Sequence, residues 1–213
     1  MRIQKLSAIA LICLFLGACG LSLVPSKDDW YAMHYYIMQD FEWKLYKDLS
    51  PAARLEFQKL FWASRSPEAK QEFDNRVAYT MKAYKKENSR QPYNVDRAHV
   101  YLLNGSPVHI ELSQNDNWAT RMTQGVGVNA SVNDRSNEDV SANTLEVWTY
   151  PYDKYLIRYT FYFRSPNEWR LDQAAFSGNR YMGALEEDNK LGLFGVTNPG
   201  EYKAKLEQLK SIK

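Results

Sequence analysis

Three histidines, an aspartate three residues ahead of one of them and two cysteines are the side chains of this chain whose types could do chemistry. Residues 98–103 and 108–112 alternate apolar and polar side chains, so His99 and His109 are expected on adjoining strands. There Asp96, His99 and His109 could serve a hydrolase, a carboxylate orienting an imidazole that moves a proton. With Glu111 the two histidines could instead hold zinc. No two of these residues have close ligand spacing, so no metal and no cofactor is expected. His34 falls on an apolar helical stripe and reads as a satisfied interfacial histidine. Ser106 lacks the flanking glycines of a nucleophile elbow. The pair Gly125 and Gly127 opens no helix and makes no phosphate cradle. Asp134, Glu138 and Asp139 have neither the spacing nor the glycine of a calcium loop. Trp148 and Tyr150 share one strand face, which is either core under helices or a platform for a small ligand or glycan. No catalytic residue is assigned.

The cysteines lead elsewhere. Arg2 and Lys5 precede an apolar run over residues 6–16, closed by Leu16, Gly17, Ala18 and Cys19. A basic start, a short apolar core and small residues before a cut describe a secretory signal. The run is about half the ~20 residues that span a bilayer. With its cysteine after the small pair, it resembles a bacterial lipoprotein signal. That resemblance implies removal of residues 1–18, diacylation of the Cys19 thiol and a tether over residues 19–27. Gly20, where an aspartate would signal retention at the inner membrane, implies the outer membrane. Each buried CH₂ contributes ~0.8 kcal/mol, so two or three acyl chains hold firmly.

Removing the signal leaves about 195 residues, enough for one domain. Cys13 would leave with the signal and Cys19 would carry lipid, so no thiol remains for a disulfide, a metal or catalysis. The formal charge is +2 with Arg2 and Lys5 included. The mature part is therefore near neutral, which argues against nucleic acid as a partner. Aromatic residues make up 14% and 15 of them are tyrosines, so the core must be built largely from rings with polar tips.

Residues 28–90 read as helical. Trp30, His34, Ile37, Phe41, Leu45 and Leu49 form one stripe. Ser50-Pro51 and Ser66-Pro67 each read as an N-cap followed by proline at the first helical position. Three antiparallel helices are expected, with Lys82, Lys85, Lys86 and Glu87 on a solvated face. From residue 91 to 213 the chain reads as β-rich. Strands are expected at 98–103, 108–112, 145–150, 155–163 and 169–171, with Pro107 marking an edge. Residues 120–143, longer than the ~12–15 of an ordered loop, read as a mobile loop. Residues 178–195 are glycine-punctuated and ambiguous, and Asn198-Pro199 caps a last short helix. Asp96 and Arg97 are expected to form one ionic knot with the Arg65-Ser66-Pro67 segment, fixing the helices onto the sheet.

Several of these features fall in one order: Phe61-Trp62, Arg65 and Pro67, Asp96-Arg97, Gly105 and Pro107, then Glu146-Val147-Trp148. In that order the chain resembles the GWxTD-domain family of bacterial envelope proteins. The defining motif is eroded here to Pro92-Tyr93-Asn94-Val95-Asp96, and Ser66 replaces the acid of the arginine-aspartate-proline element. A Gly105-Ser106-Pro107 turn followed by the Glu146 to Tyr150 strand also resembles small BamE-like lipoproteins in fold. The resemblances imply structural roles for Phe61, Trp62, Arg65, Pro67, Asp96, Arg97, Gly105, Pro107, Trp148 and Tyr150, and name no reaction.

The expectation is therefore an α+β fold: N-terminal helices, a small antiparallel sheet and a short C-terminal helix, packed as a single GWxTD-like domain. The expected function is that of a membrane-anchored envelope lipoprotein, held by acyl chains on Cys19 and acting without catalysis on other envelope proteins.

Overall fold

The computed structural model describes residues 28–114, 144–164, 167–172 and 180–212. The signal, Cys19, the tether and the loop expected at 120–143 lie outside the described residues. The chain divides into two units, Met1–Ala32 and Met33–Lys213. Of the first, residues 28–32 are described, and 29–32 begin a helix.

In chain order the helices are α1 (Asp29–His34), α2 (Asp40–Asp48), α3 (Pro51–Ala63), α4 (Pro67–Ala83) and α5 (Asp96–Asn104). The strands β1 (His109–Gln114), β2 (Thr144–Tyr152), β3 (Tyr155–Arg164) and β4 (Glu168–Leu171) follow, then α6 (Arg180–Leu191) and α7 (Pro199–Leu209). The fold is α+β, with a four-stranded antiparallel sheet in the order β1-β2-β3-β4. The elements expected at 145–150, 155–163 and 169–171 are β2, β3 and β4.

Local chemistry starts three helices as the sequence indicates. Ser50, Ser66 and Asn198 accept from the backbone N–H of Ala53, Ala69 and Glu201, and each is followed by proline. These contacts satisfy donors that a helix start leaves orphaned, each worth about 1 kcal/mol.

Two expectations fail. The single stripe from Trp30 to Leu49 is broken: a 3-10 turn at Tyr35–Ile37 ends at Met38, and Met38 and Gln39 are extended. The cause is Glu42, whose carboxylate accepts the Gln39 backbone N–H at 2.8 Å and opens a new helix there. Residues 98–103, expected as a strand, lie in α5. Ala98, Val100, Leu102 and Leu103 are all buried, because α5 lies between the sheet on one side and α4 and α6 on others. A helix covered on several sides has no single apolar stripe, and its apolar positions mimic alternation. Gly105 ends it at φ 77°, a backbone that favours glycine. A Cβ there would also sit 2.9 Å from the Arg76 guanidinium.

Registers place Ile110 opposite Trp148 and Leu112 opposite Glu146, while Trp148 faces Tyr159 and Tyr150 faces Ile157. Directly opposed residues share a sheet face. On that face Trp148, Tyr150, Ile157, Tyr159 and Phe161 pack with Ala98 and Val100 of α5 and Met182 and Leu185 of α6. The cover stops short of β1.

Candidate functional site

Instead of one ionic knot the structure holds two, and this corrects the expected pairing of Arg65 with Asp96 and Arg97. In the first, the Arg65 Nη2 donates to both oxygens of Glu42 at 2.8 Å, and both side chains are fully buried. Arg65 Nε donates to the Phe194 carbonyl at 2.7 Å and Nη1 to the Phe61 carbonyl at 2.8 Å. The Tyr202 hydroxyl donates to Glu42 at 2.6 Å, and burial together with that carboxylate raises the phenol's pKa far above its usual range. Every charge is matched, as burial requires; removing one partner of such a pair costs about 3–5 kcal/mol.

The second knot joins α5 to the sheet. Arg97 Nη1 donates to Glu146 at 2.9 Å, and its Nε and Nη2 donate to Glu87, which also takes the Trp169 backbone N–H at 3.3 Å. Burial works against the Arg97 charge, but Glu146 and Glu87 outweigh it and raise its pKa. Burial raises the Glu87 pKa against the pull of Arg97. Glu87, expected on a solvated face, is thus nearly enclosed, because the chain after α4 folds it under Arg97.

Other motif residues take up backbone groups. Asp96 accepts the Leu171 N–H at 2.8 Å and ties α5 to β4. Tyr150 donates to the Gly105 carbonyl at 2.9 Å. Arg76 donates to the Leu102 and Leu103 carbonyls at 3.0 and 2.8 Å, closing the end of α5. Trp62 donates its indole N–H to His34 at 3.2 Å, so His34 is a satisfied interfacial histidine as expected. Pro67 opens α4, and Phe61 lies under the Arg65 guanidinium, 3.4 Å from its ring centre.

His99 and His109 are not on adjoining strands: His99 lies on α5 and His109 on the exposed strand β1. Asp96 and His99 do share a cavity of about 240 Å³, with Tyr36, Leu171, Glu186 and Lys190 among its lining, and His109 is not part of it. The triad of Asp96, His99 and His109 is therefore not assembled. Among the described residues no group of three or more His, Cys, Asp or Glu could hold a metal.

What the cavity does contain is an orphan. His99 Nε2 is buried without a hydrogen-bond partner, and its ring stacks on Tyr36 with centroids 3.7 Å apart. Burial, assisted by Arg170, pushes its pKa down to about 3, so the imidazole is neutral at physiological pH. Glu186, also in the lining, has a raised pKa, first from burial, and accepts the Tyr159 hydroxyl at 3.0 Å. Such a pocket can hydrogen-bond a small polar molecule; a neutral, stacked imidazole of such low basicity is poorly placed to take up protons near pH 7.

Trp148 and Tyr150 are core. Trp148 is 2% exposed and packs on Phe161 at 5.0 Å, so the proposed glycan platform on this face is closed by the helices. The uncovered apolar surface lies one strand over. Ile110 and Leu112 of β1 are 52% and 67% exposed on the face that β2 and β3 bury, and Val108, just before the strand, is 65% exposed.

Comparison with family models, curated proteins and solved structures found no match. The likeness to the GWxTD-domain family rests on its motif residues alone. Glu42, Tyr202, Glu87, Arg76 and Glu186 were not singled out as site residues from sequence. Glu42 alone carried a local signal, Gln39 three residues before it, the spacing of a helix-start box.

Proposed function

We propose that this chain is a lipid-anchored protein of the bacterial envelope, on the outer membrane, that works by contact with other proteins and not by catalysis. Residues 16–19 support the anchor, since a cysteine behind Leu-Gly-Ala is the acceptor such signals present. The observation that carries the contact role is the bare pair Ile110 and Leu112 on the edge strand, with exposed Val108 just before it. An edge strand offers unpaired backbone groups, and proteins commonly blunt it with charge, proline or cover. Pro107 stands just before this one, and the following row is apolar and open. Among the described residues no helix is long and apolar enough to cross a membrane, and the acyl chains would supply the hold.

Two measurements test the reading. A radioactive fatty acid fed to cells should label the native chain and leave Cys19→Ser unlabelled; equal labelling, or release of the native chain into the medium, overturns the anchor. Replacing Ile110 and Leu112 together by serine should abolish the protein's crosslinks in intact cells while leaving it folded; unchanged crosslinks overturn the contact surface.

A second reading has one specific observation behind it. The orphaned His99 Nε2 suits a small polar molecule in the α5 cavity, given that a buried polar atom without a partner is costly. Mass spectrometry of the protein purified under native conditions should then find a bound species that His99→Phe lacks.

A further inference from the structure

Resting on the contact role just proposed, we infer that the partner of strand β1 is β1 of a second copy, paired antiparallel across a two-fold axis at Ile110. The three residues His109-Ile110-Glu111 of β1 are self-complementary when reversed. With Ile110 opposite its own counterpart, His109 faces Glu111 of the other copy and Glu111 faces its His109. Leu112 lies beside the axis on the same face as Ile110. Apolar residues meet apolar ones on the open face, and an imidazole meets a carboxylate on the other. Directly opposed side chains in an antiparallel pair lie ~4.5–5.5 Å apart at Cβ, close enough for both contacts. A slip of one residue to either side would put Ile110 against His109 or Glu111 and lose every match.

The strand is open to receive a copy. It is the edge of the sheet, and among the described residues its only ladder is to β2. The symmetric pairing is isologous and closed, so it ends at two copies instead of running on as a fibre. It would join two four-stranded sheets into one of eight and extend the apolar row across the axis. Three residues of strand are small beside the ~800 Å² per partner of a stable interface. Shared anchoring in one lipid sheet offsets this by raising the effective concentration of copies.

The test uses the full-length anchored chain in native membranes, where a cysteine placed on β1 has no competing thiol once Cys19 is acylated. Ile110→Cys, sitting on the axis, should oxidise to a species of twice the mass. His109→Cys and Glu111→Cys, each off the axis, should not do so singly, but should when both are present. In the Ile110→Cys background, His109→Glu should cut the yield about fivefold or more by setting like charges opposite. His109→Glu combined with Glu111→His should restore it. Equal crosslinking of Ile110→Cys and Glu111→Cys, or no rescue by the charge exchange, overturns the second-copy inference. An Ile110→Cys adduct of any mass other than twice the chain overturns it as well, while the broader contact role stands. No adduct at all removes both from strand β1.

Discussion

Strands β1 and β2 present the same chemistry to the same face and meet opposite fates. Trp148 on β2 lies under α5 and α6, whereas Ile110, its direct neighbour on β1, is half exposed. The helices cover β2 and β3, reach β4 and leave β1 bare. The difference lies in the cover and not in the residues, so burial on this sheet reports where the helices end. An apolar side chain beneath them is structural; one beyond them is free to do something else.

Breaking the covered side should have the largest effect. Trp148→Ala should cost about 3–5 kcal/mol, from lost burial and the cavity left behind, read as a fall in urea midpoint at unchanged slope. Next comes the boundary of the cover, where His99 is half-buried and its Nε2 has no partner. His99→Phe keeps the ring on Tyr36 and removes the orphaned nitrogen, so it should gain about 1–3 kcal/mol at pH 7. A loss instead would mean that Nε2 is bonded in solution.

The same variant sharpens the contrast by pH. The folded pKa of His99 is depressed to about 3 from 6.5. Its neutral form therefore supports folding fully above pH 6.5, and that support drains away as pH falls toward about 3. Urea titrations at pH 7 and pH 4.5 should show a smaller loss in His99→Phe than in the native chain. Smaller still is Ser66→Ala, which unbinds the Ala69 N–H and should cost about 1 kcal/mol. The least affected should be the bare strand: Ile110→Ser should change stability by about 0.5 kcal/mol or less. A loss comparable to that of Trp148→Ala would show that β1 is covered after all.

The sequence was legible where structure is decided within a few residues. Ser50-Pro51, Ser66-Pro67 and Asn198-Pro199 start helices because cap and proline act on the next turn. Residues 155–163 show their strand because one face is buried and the other is not. Helix α5 was misread for the opposite reason: Ala98, Val100, Leu102 and Leu103 are buried on more than one side, so neither period stands out. The ionic knots were hidden by distance along the chain. Glu42 lies 23 residues from Arg65 and 160 from Tyr202, and nothing near Arg65 announces either. Of the candidate chemistry, His34 was read correctly because its apolar neighbours already define its surroundings. His99 was placed on the wrong element, and with it went the triad.

The knot at Glu42 has a consequence for how the chain comes into being. Its carboxylate and guanidinium stand 23 residues apart, but its phenol lies 160 residues beyond the carboxylate and arrives only when α7 docks. Until then a buried acid near the front lacks one of its hydrogens, and Leu206 and Leu209 are missing from the interior. Closure of the globule thus waits for two distant parts of the chain to meet, and a cut between α6 and α7 would strand the acid without its phenol.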